Sequence, residues 1–255
     1  MVGTVTQYTP KKLQNDAIIE AICQLSFNSP DLPEIIIGRL SDLQAGASDF
    51  NINRLPAANF PYEFRSSDSN LQLQPTIELK HKNNSLLIRF SERVISYHIT
   101  GVGSYIGWEA FRAELLKTFR GLFDKVNVSE VFGISFRYIN AIMSDRHHID
   151  DMHQLNFEAR VKDEKLNCPL NLNFIVQNDE NHLTTTRIAH RNFVQGALPE
   201  ATKAIIDVEV NTPALKFNVK GLDEVMSWID AAHQFEKDAF FKLIPDEVIQ
   251  KLEVN

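Results

Sequence analysis

Cysteine is nearly absent: the 255-residue chain has only Cys23 and Cys168. Two thiols cannot build a disulfide scaffold or a four-thiolate zinc site, and their separation suits neither a redox pair nor zinc. Buried, reduced thiols in a cytosol are the expected state. Glycine and proline are sparse at ten residues each, which excludes collagen-like and low-complexity architectures. Positive charge is in deficit, 26 Lys and Arg against 33 Asp and Glu, for a net charge of −7. A general nucleic-acid binder needs a basic footprint, so nucleic acid is not an expected partner. No stretch reaches the ~18–20 uninterrupted apolar residues of a membrane span. The opening MVGTVTQYTPKKLQND has no apolar core and no small-residue cleavage site, so it does not read as a secretory leader. A cytoplasmic protein without membrane contact is expected. G-x-S-x-G, Walker, H-E-x-x-H and EF-hand motifs are all missing, and no cofactor is expected.

What is present is ordinary globular material, 44% hydrophobic and 23% charged. Residues 1–16 read as a polar extended arm. Ala17 to Phe27 reads as a first strand, and Pro33 to Leu43 as a helix behind an Asn28–Asp31 turn. Residues 46–70 read as loop. Leu71, Leu73, Thr76, Ile77 and Leu79 form a candidate strand, followed by strands at 85–90 and 94–100 with tight turns between them. Trp108, Phe111, Leu115, Phe119 and Leu122 recur at helical spacing, so this helix covers a sheet. From 128 to 142, Phe132, Ile134, Phe136 and Tyr138 alternate with polar residues, the period of a strand. Residues 143–167 are polar, with a short helical segment. Strands at 169–177, 182–193 and 202–210 form a second meander. A long helix opened by Gly221 carries the stripe Leu222, Val225, Met226, Ile229, Ala232 and His233. The expected class is α+β: antiparallel β-meanders, each followed by a long amphipathic helix. The halves, 1–142 and 143–255, read as pseudo-similar and as packed into one unit, although no residue-level repeat links them.

Four groups of residues carry candidate chemistry. His147, His148, Asp150, Asp151 and His153 offer imidazoles and carboxylates at a density that suits a divalent metal, against a solvated loop as the plain alternative. Gly101, Gly103 and Gly107 lie between a strand and a helix, as in a dinucleotide turn, but their GxGxxxG spacing favours a simple glycine-lined helix entry. Asp207 and Glu209, two apart, share one strand face and suit acid–base work or a pairing with Arg137 or Arg187. Arg187 and Arg191 share a strand face that suits an acidic partner. Trp108, Tyr138 and Trp228 are the aromatics expected to line any cavity between sheet and helix.

A set of short motifs is spread in order along the chain. They are Ile18-Ile19-Glu20-Ala21, Gly107-Trp108 with Phe111, Phe136-Arg137-Tyr138-Ile139-Asn140, Asp207-Val208-Glu209, and Phe240 with Ile244 and Glu247. On these the chain resembles a sporadically distributed family of bacterial proteins of about this length, for which no activity is established. It departs from that family at Ala17, where proline is usual, and at Glu209, where aspartate is frequent. The resemblance transfers no catalytic residue. Its patchy distribution implies an accessory component, of the defence or toxin–antitoxin kind. The leading expectation is a non-enzymatic binding or scaffold protein with a protein partner or a homo-oligomer. The alternatives are a small-ligand binder with a pocket between sheet and helix, and an enzyme using Asp207, Glu209 and Arg137 or a metal at 147–153.

Overall fold

The computed structural model describes residues 13–44, 49–213 and 217–252. In chain order the elements are β1 (Ile18–Asn28), α1 (Pro33–Ser41), β2 (Phe50–Arg54), α2 (Tyr62–Ser67), β3 (Ile77–His81), β4 (Leu86–Phe90), β5 (Val94–Thr100) and α3 (Trp108–Lys125). They continue with β6 (Glu130–Met143), α4 (Ser144–His147), β7 (Arg160–Val161), β8 (Glu164–Lys165), β9 (Asn171–Gln177), β10 (Leu183–His190), β11 (Thr202–Asn211), α5 (Leu222–Leu243) and α6 (Asp246–Leu252). Among the described residues, nine strands form one antiparallel sheet in the order β2-β3-β4-β5-β1-β6-β11-β10-β9. The expected mixture of helices and antiparallel sheet is present. The sheet runs unbroken across residue 142, since β6 pairs with both β1 and β11.

Alternation decides which face of the sheet is dry. Ala21, Cys23 and Leu25 of β1, Ile95, Tyr97 and Ile99 of β5, and Ile134, Phe136 and Tyr138 of β6 all point to one face and are buried. Long α3 and α5 lie over that face. Phe111, Leu115, Phe119 and Leu122 form the buried stripe of α3, at the spacing that puts successive turns on one side. Val225, Trp228, Ile229 and Ala232 do the same for α5. A two-pronged ion pair, Arg112 to Asp230 at 2.6 and 2.8 Å, fastens the helices to each other on their outer side. A second cluster joins Phe240, Phe241 and Ile244 to Val248 and Ile249 of α6, over Ile188, Ala204, Ile206 and Val208 of β10 and β11.

Several expected elements shift. The loop expected at 46–70 contains β2 and α2, and its residues 46–48 lie outside the described ones. The strand expected from Leu71 begins only at Ile77. Asp68 instead accepts hydrogen bonds from the N–H groups of Asn70 and Leu71 and winds that stretch into turns, so the Leu71/Leu73 alternation has no partner strand. The short β7–β8 hairpin was not foreseen either. Phe132 leaves the apolar stripe of β6. A register shift opposite Ser26 and Phe27 puts Val131 in the core, and Phe132 stacks under the Arg93 guanidinium at 5.1 Å. The polar arm expected at 1–16 lies mostly outside the described residues; within them, Gln14 N–H donates to the Leu252 carbonyl at 2.6 Å.

Phe136→Ala should cost about 3–5 kcal/mol, because it removes a fully buried ring and leaves a void. Phe174→Ala, on a β9 ring that is 43% exposed, should change stability by less than about 1 kcal/mol. Urea denaturation of the two variants checks the pair.

Candidate functional site

The sheet and α5 do not close completely at one end. A register shift between Ile18 and Glu20 inserts an extra residue in β1 opposite β6, and such bulges splay a strand locally. Beside it lies a cavity of about 330 Å³. Its floor is Ala17 and Ile18 with Tyr138 and Asn140 of β6, and its far wall is His233, Glu236, Lys237, Phe240 and Phe241 of α5. The segment between β5 and α3 roofs it with Tyr105, Ile106, Gly107 and Trp108. That segment depends on its glycines: Gly101 and Gly107 have φ of +105° and +85°, which L side chains rarely adopt. The glycine run is therefore a turn that delivers Tyr105 and Trp108 to the cavity.

Aromatic contacts hold the walls. The Trp108 ring stacks on the His233 imidazole, with centroids 3.8 Å apart and planes 13° from parallel. Phe136 meets Trp108 edge-on at 5.8 Å. The Tyr105 and Tyr138 hydroxyls share a hydrogen bond of 2.6 Å. Burial holds both phenols above their ordinary pKa range.

Two titratable groups on α5, Glu236 and His233, have no hydrogen-bond or ion-pair partner among the described residues. Glu236 is 3% exposed. Among the described residues no hydrogen bond or ion pair reaches its carboxyl. Desolvation pushes its pKa well above the carboxylate range, against a small opposing pull from Lys237. His233 Nδ1 is buried without a hydrogen-bond partner. Burial first, and the Lys237 charge second, push its pKa down to about 4, with Asp230 opposing. At neutral pH the cavity wall therefore carries a neutral imidazole beside a carboxyl that resists ionising. A polar group buried alone costs about 1–3 kcal/mol; among the described residues His233 Nδ1 shares that state with His147 Nε2 and Thr202 Oγ1, and of the three it is the one whose residue lines this cavity.

The opposite face of the sheet carries a different constellation. Arg137 forks onto Asp207 at 2.7 and 2.6 Å, and Ser135 donates to Glu209 at 2.7 Å. Asp207 and Glu209 do share one face, and each has a protein partner. Arg187 sits opposite Asp207 in the register, but its guanidinium donates to Asn171 and to the Phe193 carbonyl. Nearby, Ser96 Oγ lies 2.9 Å from His98 Nε2, and His98 Nδ1 lies 3.1 Å from Glu20 Oε1. The hydrogen bond from His98 holds the Glu20 pKa below the ordinary range. The order Ser–His–Glu is that of a nucleophilic triad. Ser96 is 2% exposed, however, and also lies 3.4 Å from the Arg89 carbonyl, so no substrate atom can approach it. These groups tie neighbouring strands together.

The remaining candidates are dispersed. His147 is buried, and its Nδ1 accepts the Met143 N–H at 2.9 Å. His148 is exposed and takes a left-handed backbone, with φ of 56°. Asp151 caps the short turn at 152–154, Asp150 is exposed, and His153 Nε2 faces the Cys168 carbonyl at 3.1 Å. Among the described residues, no three His, Cys, Asp or Glu side chains are grouped to hold a metal ion. Trp108 and Tyr138 do line the cavity, whereas Trp228 does not. Trp228 stacks on His182 at 4.7 Å and donates to the Asn181 carbonyl at 2.9 Å, beside a separate open groove. No protein-family model matches the chain, and no curated protein is significantly similar to it.

Sequence reasoning placed His233 in the core stripe of α5 and passed over Glu236. The signal was there. Ile229, His233, Glu236 and Phe240 follow one helical face, so two polar residues occupy positions where apolar ones would pack.

The two groups have opposite pH signatures. Glu236 has a raised folded pKa, so the unfolded chain gives up its proton first and stability declines as pH rises above 4.5. His233 has a lowered one, so the unfolded chain takes a proton first and stability declines as pH falls from 6.5 toward about 4. Glu236→Gln should therefore gain on the wild type increasingly as pH rises above about 4.5, and His233→Gln increasingly as pH falls below about 6.5. Melting temperatures across that range test both. A difference from the wild type that does not change with pH would mean that the group titrates alike in the folded and unfolded chain.

Asp207→Asn leaves the Arg137 guanidinium partly buried without its counter-charge. It should cost about 1–3 kcal/mol, read by urea denaturation.

Proposed function

We propose that the protein is a small-ligand-binding protein and that its site is the cavity between α5 and the bulged end of β1. One observation carries the reading. The cavity wall contains a carboxyl and an imidazole nitrogen that are buried and have no partner among the described residues. A ligand that satisfies them recovers the cost of their burial. The cavity's volume falls in the range of small-molecule sites. The enzyme reading built on Asp207, Glu209 and Arg137 draws less support, because those groups already satisfy one another across β6 and β11.

The scaffold reading has an observation of its own. Strand β9 ends the sheet, and its sequence NLNFIVQ carries no charge. Phe174 and Val176 on one face and Ile175 on the other are 43%, 50% and 61% exposed. Native sheets usually blunt such an edge with charge, proline or a covering element. A second copy would offer the same uncharged strand with apolar residues on both faces, and antiparallel pairing would close a two-fold dimer. This reading is compatible with ligand binding, because β9 and the cavity lie apart in the sheet order.

The strand order also supports the pseudo-similar halves. In each half a first strand, β1 or β6, pairs with the last strand of a later meander, and a long helix follows. The cytoplasmic placement belongs to the same proposal. Cys23 is buried, Cys168 is exposed and neither is bridged, which suits a reducing compartment. The resemblance to a sporadically distributed bacterial family, with an accessory role, adds context without chemistry.

Saturation-transfer NMR with an aromatic fragment set tests the cavity. Hits should appear on the wild type and vanish in Ile18→Trp, whose larger ring fills the floor. Hits that persist in that variant would place binding elsewhere. Ile175→Lys should leave the protein folded and shift it from dimer to monomer in analytical ultracentrifugation. A wild type that is monomeric throughout would remove the edge-pairing reading.

A further inference from the structure

We propose that the cavity selects a small ligand bearing a positively charged nitrogen, with the cation seated against the Glu236 carboxylate and the rings of Tyr105, Trp108 and Tyr138. The inference rests on the ligand-binding reading above and adds the ligand's chemistry.

Three observations converge on it. The first is the placement of Glu236. It stands at a core-facing position of α5, is 3% exposed, and lines the cavity without a hydrogen bond or ion pair to any described residue. An apolar residue would pack there at no electrostatic cost, so the carboxyl is explained by a partner that enters from outside. The second is the surrounding surface. Aromatic faces attract cations through their quadrupole, and Tyr105, Trp108, Tyr138 and Phe240 all border the same space. The third is the polarity of the wall. A carboxylate and a phenol pair are acceptors for N–H groups, and His233 stays neutral, so it does not repel a cation.

The charged and titratable groups facing the site are few. Tyr105 comes from the roof, Tyr138 from β6, and His233 and Lys237 from α5. Asp16 stands at the floor's edge, where it accepts the Ile18 N–H at 3.2 Å. Lys237 is the one cation among the described lining residues. It has no ion pair with Glu236 and is only half-buried. Burial raises the Glu236 pKa, and a cation seated against the carboxyl lowers it again. Cation binding is therefore linked to loss of the carboxyl proton to solvent, and the proton that leaves offsets the charge that enters.

The experiment uses the full chain with benzylamine and benzamidine as cationic probes and with benzyl alcohol and benzamide as their neutral counterparts. Affinities are read by titration calorimetry at about pH 7 in two buffers of different ionisation enthalpy. The expected result is roughly tenfold or greater preference for the cations and release of a proton on binding. In Glu236→Gln, which keeps the side chain's shape, the preference and the proton release should both disappear. Equal binding of cations and neutral counterparts would overturn the cation inference while leaving the cavity as a ligand site. A preference that persists in Glu236→Gln would overturn it too, by assigning the selectivity to other groups. No binding of any probe, together with no fragment hit suppressed by Ile18→Trp, would overturn both readings.

Discussion

The pairing of β1 with β6 is the contact on which the rest of the structure depends. These two strands are central neighbours, and each meander attaches to one of them. Their antiparallel ladder makes a single nine-stranded sheet from strands that are otherwise far apart in sequence. The ladder is interrupted near both ends. At one end the interruption puts Val131 into the core in place of Phe132. At the other it leaves Ile19 as an extra residue between the Ile18–Asn140 and Glu20–Ile139 pairs, next to the cavity. Closing such a ladder brings together residues more than a hundred positions apart, so its loop-closure entropy must be overcome before its contacts add stability. The apolar row of Ala21, Cys23 and Leu25 against Ile134, Phe136 and Tyr138 supplies the compensating burial.

The two faces of this sheet use opposite physics. One is dry and covered by α3 and α5. The other is polar, with Glu78–Arg89, Glu20–His98 and Arg137–Asp207 laid across successive strands. Cross-strand pairs of this kind keep an uncovered face soluble and add to the strand register already imposed by the dry side. The cavity is a polar exception on the dry side. Glu236 and His233 sit among aromatic rings, where the low polarity of the surroundings sets their protonation.

Much of the architecture was legible because it is carried by strong local periodicity. The α3 stripe, the β6 alternation and the α5 stripe all read directly, since each has enough turns or residues for the pattern to dominate. The misses have local causes. β2 is short and hardly buried, so its residues show no pattern against which to read a strand. Leu71 and Leu73 show the pattern but lie in turns set by the Asp68 side chain. The candidate site was half legible. Trp108 and Tyr138 were singled out as aromatics facing a sheet–helix space. Trp228 was grouped with them, although its ring faces His182 instead. Glu236 was missed because a glutamate in a helix ordinarily belongs to the solvated side. Only the tertiary packing shows that its face is the inner one.

The two thiols divide the molecule by accessibility. Cys168 is exposed on the surface, and Cys23 lies at 0% exposure in the middle of β1, with its pKa raised by burial alone. A thiol reagent added to the native protein would meet Cys168 at once and Cys23 only when the central ladder opens. The chain thus carries a built-in clock for the opening of its own core, with a fast internal standard in the same molecule. Because β1 borders both the ladder and the cavity floor, any occupant that tightens that end of the strand would slow the clock in proportion to its occupancy.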